Sequence, residues 1–245
     1  MKKFNLFYIL VPFLMFSIGC ENGGFDCVQK AGTEITRKIE LPSFHSINAY
    51  DGINIIIKQG NTQEITLQAG ENLMGEIIVG VDTAGFLNIQ NENSCNWVRS
   101  YRDINLYITT DTLFLVNQYG YGTIRSEGIL TFPSVTINAK DGVGDITLEV
   151  DNQRLYLVSN TIGNFYLSGR TEAFIIGNYY SNGRFLAKDL IAKKATINHL
   201  GSNTIEVNAT ESLSGSIQGL GDIVYYGDPE VLDVEITGEG KLIKR

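Results

Sequence analysis

The sequence predicts an all-β fold, a right-handed parallel β-solenoid (β-helix), and three observations carry that prediction. First, residues 131–245 repeat a short unit: an apolar strand, a turn rich in Gly and Asn, and a second apolar strand. The turn-to-strand step reads Gly144-Asp145-Ile146, Gly163-Asn164-Phe165, Gly183-Arg184-Phe185, Asn203-Thr204-Ile205, Gly221-Asp222-Ile223 and Gly240-Lys241-Leu242. The closing apolar residues are separated by 19, 20, 20, 18 and 19 residues, and a repeat near this period marks a solenoid. Second, apolar residues alternate along the strands. Stacking like on like places Ile137, Leu157, Ile176, Ile197, Ile217 and Ile236 in one inner ladder, and the residues that close the turn-to-strand step in another. Third, 26 Gly against 4 Pro indicate many tight turns, and Gly and Asn at the corners are read as the residues that take positive φ there. Each coil buries its face against its neighbours, and parallel connections are right-handed by strong preference. A β-sandwich is the alternative, since regularly spaced short strands also suggest one; the recurrence of specific residue types at a fixed step weighs against it. Corner spacing shortens from nine residues between Ile137 and Ile146 to six between Ile217 and Ile223, which predicts a cross-section that changes toward the C-terminus.

The chain before the domain reads as an address and a tether. Lys2 and Lys3 precede an apolar run over residues 4–18, interrupted by Asn5 and Pro12 and too short for a comfortable membrane span. It closes on Ser17-Ile18-Gly19-Cys20, which resembles a bacterial lipobox with Ser17 in place of the usual Leu. Residues 1–19 are thus expected to be a lipoprotein signal peptide and Cys20 the lipidated first mature residue, with ordinary signal cleavage nearby as the plainer alternative. Residues 20–43 form the anchor and tether; residues 44–245 form a single domain. The removed segment holds two Lys and no acid, so the net charge moves from −8 to −10. An acidic chain of this kind repels phosphate backbones, and nucleic acid is not an expected partner. Lys188, Lys193 and Lys194 are read as a solvated rim. Cys27 and Cys95 remain, and in an oxidising compartment they are expected to pair. That bond closes a loop of about 70 residues, worth about 4 kcal/mol by loop entropy; two buried thiols are the other reading.

Ahead of the domain, residues 35–41 read as a short first strand before Pro42. Period-2 alternation then runs through Ile47 and Ala49, Ile53, Ile55 and Ile57, and Ile65, Leu67 and Ala69. A brief helical turn is expected near Met74, with Asn72 as its N-cap. Alternation resumes in Ile77, Val79 and Val81, in Leu87 and Ile89, and in Ile104, Leu106 and Ile108, with Leu113 and Leu115 after them. Residues 91–102 are polar and irregular.

These stretches carry a family resemblance. Phe44-His45-Ser46-Ile47 followed by Tyr50-Asp51-Gly52-Ile53-Asn54-Ile55 resembles the opening of the head GIN domain family, described as putative auto-transporter adhesins. Gly52-Ile53-Asn54 matches the name-giving tripeptide. Gly70-Glu71-Asn72-Leu73, Gly85-Phe86-Leu87-Asn88-Ile89 and Cys95-Asn96-Trp97-Val98-Arg99-Ser100-Tyr101 match further on. The resemblance covers residues 44–245. It implies a right-handed β-solenoid that is exported, often lipid-anchored and common in Bacteroidetes-type bacteria, with an adhesive role.

The chemistry-bearing residues do not assemble an enzyme in sequence. His45 and His199 lie far apart, in no metal-ligand spacing, and read as surface or strand residues; no metal and no cofactor is expected. Three carboxylate pairs (Asp141 with Asp145, Glu149 with Asp151, Asp222 with Asp228) would be the acid and base of a polysaccharide-cleaving solenoid, the alternative function, but Asp beside Gly is ordinary turn chemistry. Exposed aromatics stack on sugar rings, so Trp97, Tyr101, Tyr119 and Tyr121 are the candidate binding surface. Of the adjacent pairs Tyr179-Tyr180 and Tyr225-Tyr226, one ring is expected inside and one outside. Asp82-Thr83-Ala84 and Asp111-Thr112-Leu113 resemble the O-glycosylation signal of Bacteroidetes. The sequence therefore reads as a non-enzymatic cell-envelope lipoprotein, anchored to the outer membrane through its N-terminal lipid and presenting a solenoid face to a glycan, a protein or another copy.

Overall fold

The computed structural model describes residues 31–93 and 103–245. The described residues are 61% strand and form a β-solenoid of about six turns. Before the repeats lie nine strands: β1 (Glu34–Ile39), β2 (Ser46–Ala49), β3 (Ile53–Gln59), β4 (Glu64–Gly70), β5 (Ile77–Val81), β6 (Phe86–Asn91), β7 (Ile104–Thr110), β8 (Leu115–Gln118) and β9 (Ile124–Ser126). The repeats supply β10 (Ser134–Ala139), β11 (Ile146–Ser159), β12 (Phe165–Tyr179), β13 (Phe185–His199), β14 (Ile205–Ile217), β15 (Ile223–Tyr226), β16 (Val231–Ile236) and β17 (Leu242–Lys244). A 3-10 turn at Met74–Glu76 is entered from Leu73 without a side-chain cap. Asn72 is therefore not the cap; the turn begins one residue later than its polarity suggests.

Two parallel walls stack through the molecule. One runs β6, β2, β8, β10, the second halves of β11 to β14, and β16. The other runs β7, β3, β9, the first halves of β11 to β14, β15 and β17. From β10 onward the coils follow chain order. Before it they do not: the β2–β3 coil lies between the β6–β7 level and the β8–β9 coil. The N-terminal end is closed by antiparallel strands, with β4 on β7, β1 on β4 and β5 on β6. Leu73, Met74 and Ile77 are buried under this lid.

The second predicted ladder is present in register: Ile146, Phe165, Phe185, Ile205, Ile223 and Leu242 pair in turn, and the column extends to Ile124 and Ile55. The first ladder holds through Ile137, Leu157, Ile176 and Ile197 and then changes. Ile197 faces Gly215, while Ile217 faces His199 and pairs onward with Ile236. The cause is a shorter coil. β14 lacks residues that β13 spends in its first bend, between Ala187 and Ile191, and recovers only one of them at the second, between Ala192 and Lys194, so the register is left shifted. Equal residue type at equal spacing therefore does not mean equal position.

Within β13 the burial alternation breaks at residues 188–189 and 193–194, so the strand turns two corners without leaving the sheet. Lys188, Lys193 and Lys194 are the exposed residues at those bends, and Lys193 pairs with Glu172 at 2.8 Å. Aromatic side chains fill the middle coils. Phe165 and Phe185 stack at 5.1 Å, and Tyr179 meets Phe185 edge-on at 5.3 Å, both favourable geometries.

Candidate functional site

The third corner of each coil, joining the first wall to the second, is tight and glycine-rich. Its glycines serve a different purpose from the one their composition suggests. Positive φ occurs at Asp51 and Asp141 and at six glycines elsewhere, not along the Gly144, Gly163, Gly183, Gly221 and Gly240 column. What that column requires is closeness. A Cβ on Gly144 would sit 2.0 Å from the Gly122 carbonyl oxygen, one on Gly183 1.9 Å from that of Gly163, and one on Gly240 2.0 Å from that of Gly221. A neighbouring column of small residues follows the same rule. There the Thr161 hydroxyl donates to the Gly142 carbonyl, and the Ser181 hydroxyl to that of Thr161.

Beneath the corner runs a column of buried side chains: Gln118, Ala139, Ser159, Tyr179, His199 and Ile217. Its polar members hold the corner backbone from inside. Gln118 Nε2 donates to the Gly122 and Gly144 carbonyls at 2.9 and 3.2 Å. Tyr179 Oη donates to the Gly183 carbonyl at 2.9 Å, and burial pushes its pKa up to about 12. His199 Nδ1 accepts the Gly201 N–H at 3.3 Å, which places the ring proton on Nε2. Burial lowers the His199 pKa, partly opposed by the Asn203 backbone and the Asp222 charge, so the ring is neutral near pH 7. This column carries a sequence signal that apolar periodicity passes over: polar residues in the phase of an inner ladder, each just before a corner.

Outside, the corner is exposed and sets apolar side chains among polar ones such as Lys140, Asn160, Asn182 and Ser202. Tyr50 and Tyr119 stack at 5.0 Å and 16°. The Tyr121 ring lies on Gly52, where a Cβ would come within 2.0 Å of it, and is itself 55% exposed. The corner amides of Tyr119 and Tyr121 bond the Ala49 and Asp51 carbonyls at 2.8 Å, fixing one coil's rings over the next. Asp51 in turn accepts the Asn91 N–H at 3.0 Å. The exposed apolar residues continue along the same corner through Val143, Ile162 (63% exposed), Tyr180 and Leu220 (63%). From the Tyr50 level to the Leu220 level is six steps of inter-strand spacing, or roughly 30 Å. At the far end Tyr180, Leu200 and Leu220 border an open groove of about 500 Å³ floored by Gly201 and Gly219.

Of the sequence-predicted site residues, Tyr119 and Tyr121 come together here, and Tyr50 joins them. Cys20, Cys27, Cys95, Trp97 and Tyr101 lie outside the described residues. The in-and-out expectation for paired tyrosines is met: Tyr179 is buried and Tyr180 exposed, and Tyr225 is buried beside a half-buried Tyr226. Of the carboxylate pairs, the members at the glycine corners and near the C-terminus are engaged in turns and a surface ion pair. Asp145 accepts the Asn164 backbone N–H and side-chain amide, both at 2.9 Å, Asp222 accepts the Lys241 N–H at 2.7 Å, and Asp228 pairs with Lys244. Asp82 is likewise occupied by the Ala84 and Phe86 amides at 2.9 Å, chiefly the latter, which with Asn88 hold its carboxyl below the usual range. Thr83 beside it is exposed. Among the described residues no group of His, Cys, Asp and Glu could hold a metal ion, and no helix is long and apolar enough to cross a membrane.

Fold and corner together define a surface-presenting β-solenoid whose ordered polar groups serve its own backbone. The chain belongs to the family described as putative auto-transporter adhesin, head GIN domain, whose model matches residues 43–229. Among solved structures it is similar to a putative adhesin from Bacteroides fragilis, at 26% identity and a TM-score of 0.78 over 87% of this chain and 97% of that one. A putative lipid binding protein from Parabacteroides distasonis shares the fold at 20% identity and a TM-score of 0.65, over 86% of this chain and 97% of the other. So does a putative adhesin from Parabacteroides merdae, at 18% and 0.62, over 88% and 98%. No curated protein matches the chain.

Proposed function

We propose that this protein is a non-enzymatic adhesive module of the cell envelope, held to the outer membrane by lipid on Cys20, that binds surface glycan along its glycine corner. The observation that carries the reading is the group of rings at one corner, Tyr119 stacked on Tyr50 and the exposed Tyr121 lying on Gly52, with further exposed apolar residues set among polar ones along the same seam. Sugar rings present apolar C–H faces that stack on exposed aromatics, and a seam spanning several coils suits an extended chain better than a single small molecule. Membership of an adhesin family supports the class of function. Of the carboxylates that a glycan-cleaving solenoid would use, Asp145 and Asp222 are engaged in turns and Asp228 in a surface ion pair, which favours binding over cleavage.

A glycan-binding screen of the exported protein tests the reading, with Tyr121→Ala and Tyr119→Ala as partners. Binding by the wild type that falls about tenfold in each variant, a loss of about 1.4 kcal/mol, is the expected result. Equal binding by all three would remove the tyrosine corner as the site. Anchoring is tested separately: Cys20→Ala should abolish labelling by a fatty-acid analogue, and protease accessibility on intact cells reports which membrane face displays the domain.

A further inference from the structure

The two ends of the solenoid are finished differently. At the N-terminal end the inner columns stop beneath the antiparallel strands β1, β4 and β5 and the Met74–Glu76 turn. At the other end they stop in the open. Among the described residues β16 pairs with β14 alone and β17 with β15 alone, which leaves each with an edge they do not cover. Leu232 continues the column of Val135, Leu155, Phe174, Ala195 and Leu213, all fully buried, yet is itself 48% exposed. Ile236 continues the His199 and Ile217 column and is 50% exposed. A repeat stack needs a terminal repeat with a polar outer face, and a free, apolar strand edge is a template for another strand.

What covers this edge must supply strand backbone and match its charge. β16 carries Asp233 and Glu235 and no base; β17 and its flanks carry Lys241, Lys244 and Arg245 and no acid. Lys244 pairs with Asp228 of its own chain, while Lys241 and Arg245 make no ion pair among the described residues. A second copy supplies both requirements at once. A two-fold axis perpendicular to the solenoid reverses the strand direction of the partner, so that the acidic β16 of one copy lies antiparallel on the basic β17 of the other, twice over. The contact is self-complementary and closes at two copies.

We propose that the free β16–β17 end is a homotypic interface, and that two copies join end to end through it. This inference stands apart from the glycan reading, which uses the corner seam.

Sedimentation equilibrium of the exported protein, with small-angle scattering of the same samples, tests the interface. The expected result is a concentration-dependent dimer whose maximum dimension is close to twice that of the monomer. Leu232→Lys should weaken association by about tenfold or more, since it buries an unpaired charge at the contact. Asp233→Lys with Glu235→Lys should weaken it as well, and adding Lys241→Glu with Arg245→Glu to those two should restore it. These positions are exposed, and circular dichroism checks that each variant is folded. A monomer at every soluble concentration, a side-by-side dimer, open-ended filaments, or a four-fold variant that fails to recover would each overturn the proposal. Glycan binding by Leu232→Lys should be unchanged, which separates this test from that of the corner.

Discussion

The head, residues 31–130, and the stack, residues 131–245, solve the same packing problem in different ways. In the stack every coil lies on the one before it, and the chain is held by backbone contact so close that corner positions exclude a Cβ. In the head the coil order is broken and antiparallel strands close the end, while its corner glycines keep the same closeness: a Cβ on Gly120 or Gly122 would sit 1.9 or 2.0 Å from the Asp51 or Ile53 carbonyl oxygen. One ladder of side-chain amides crosses from stack to head: Asn138 donates to Asn117, Asn117 to Asn48 and Asn48 to Asn88, at 2.8–3.0 Å. The lesson is that repetition confers architecture cheaply but leaves ends and outward faces unresolved, and that the irregular head is where the molecule resolves one of them.

Substitutions can break this contrast in order of severity. Gly183→Ala should be the most damaging, because the atom its Cβ meets is backbone oxygen at 1.9 Å and cannot move aside. A cost of about 3 kcal/mol is expected, roughly 6–12 °C in Tm. Gly52→Ala in the head meets only the ring of Tyr121, which can swing outward. It should cost about 1 kcal/mol while weakening corner binding by up to about tenfold, as Tyr121→Ala should, a separation of stability from ligand affinity that Gly183→Ala would not show. Equal losses in the two variants would erase the distinction between backbone-limited and side-chain-limited corners.

Protonation gives a subtler test of the stack. His199 is fully buried with its pKa lowered by that burial, so below about pH 6.5, the ordinary value for His, the unfolded chain takes up a proton that the native ring resists. Stability is complete above that pH and declines as pH falls toward the lower native value. His199→Leu should be less stable at pH 8, for want of a partner for the Gly201 amide, yet show a flatter decline between pH 7 and 5 than the wild type. A parallel pair of Tm-against-pH curves would show that another group governs acid sensitivity. At the bottom of the scale, Gly80→Ala, whose Cβ would meet nothing within 4 Å, and Lys193→Ala, which removes an exposed ion pair, should leave Tm unchanged within error.

Much of this was legible from residue order. The Ile146 to Leu242 ladder and the split fates of Tyr179 and Tyr180 follow from periodicity alone, because alternation and repeat length are properties of the chain. The first ladder misled at β14, where bends absorb residues invisibly: Ile217 has the right type and nearly the right spacing, yet faces His199 and not Ile197. Tyr119 and Tyr121 were legible as candidates, but Tyr50, about seventy residues away in sequence, was not, since only the stacking of the β2–β3 and β8–β9 coils brings its ring to 5.0 Å from Tyr119.

By itself, the sequence determined that this chain coils, how long each coil is and which residues face inward, because those depend on local alternation and on a period that any stacked coil must keep. Tertiary structure alone decided the order of coils in the head, the need for glycine at the corners, and the buried Gln118, Tyr179 and His199 column that holds those corners. Each of these depends on distances between coils, on carbonyl oxygens 2 Å from an absent Cβ and on rings from different levels, and such distances exist only once the stack has formed.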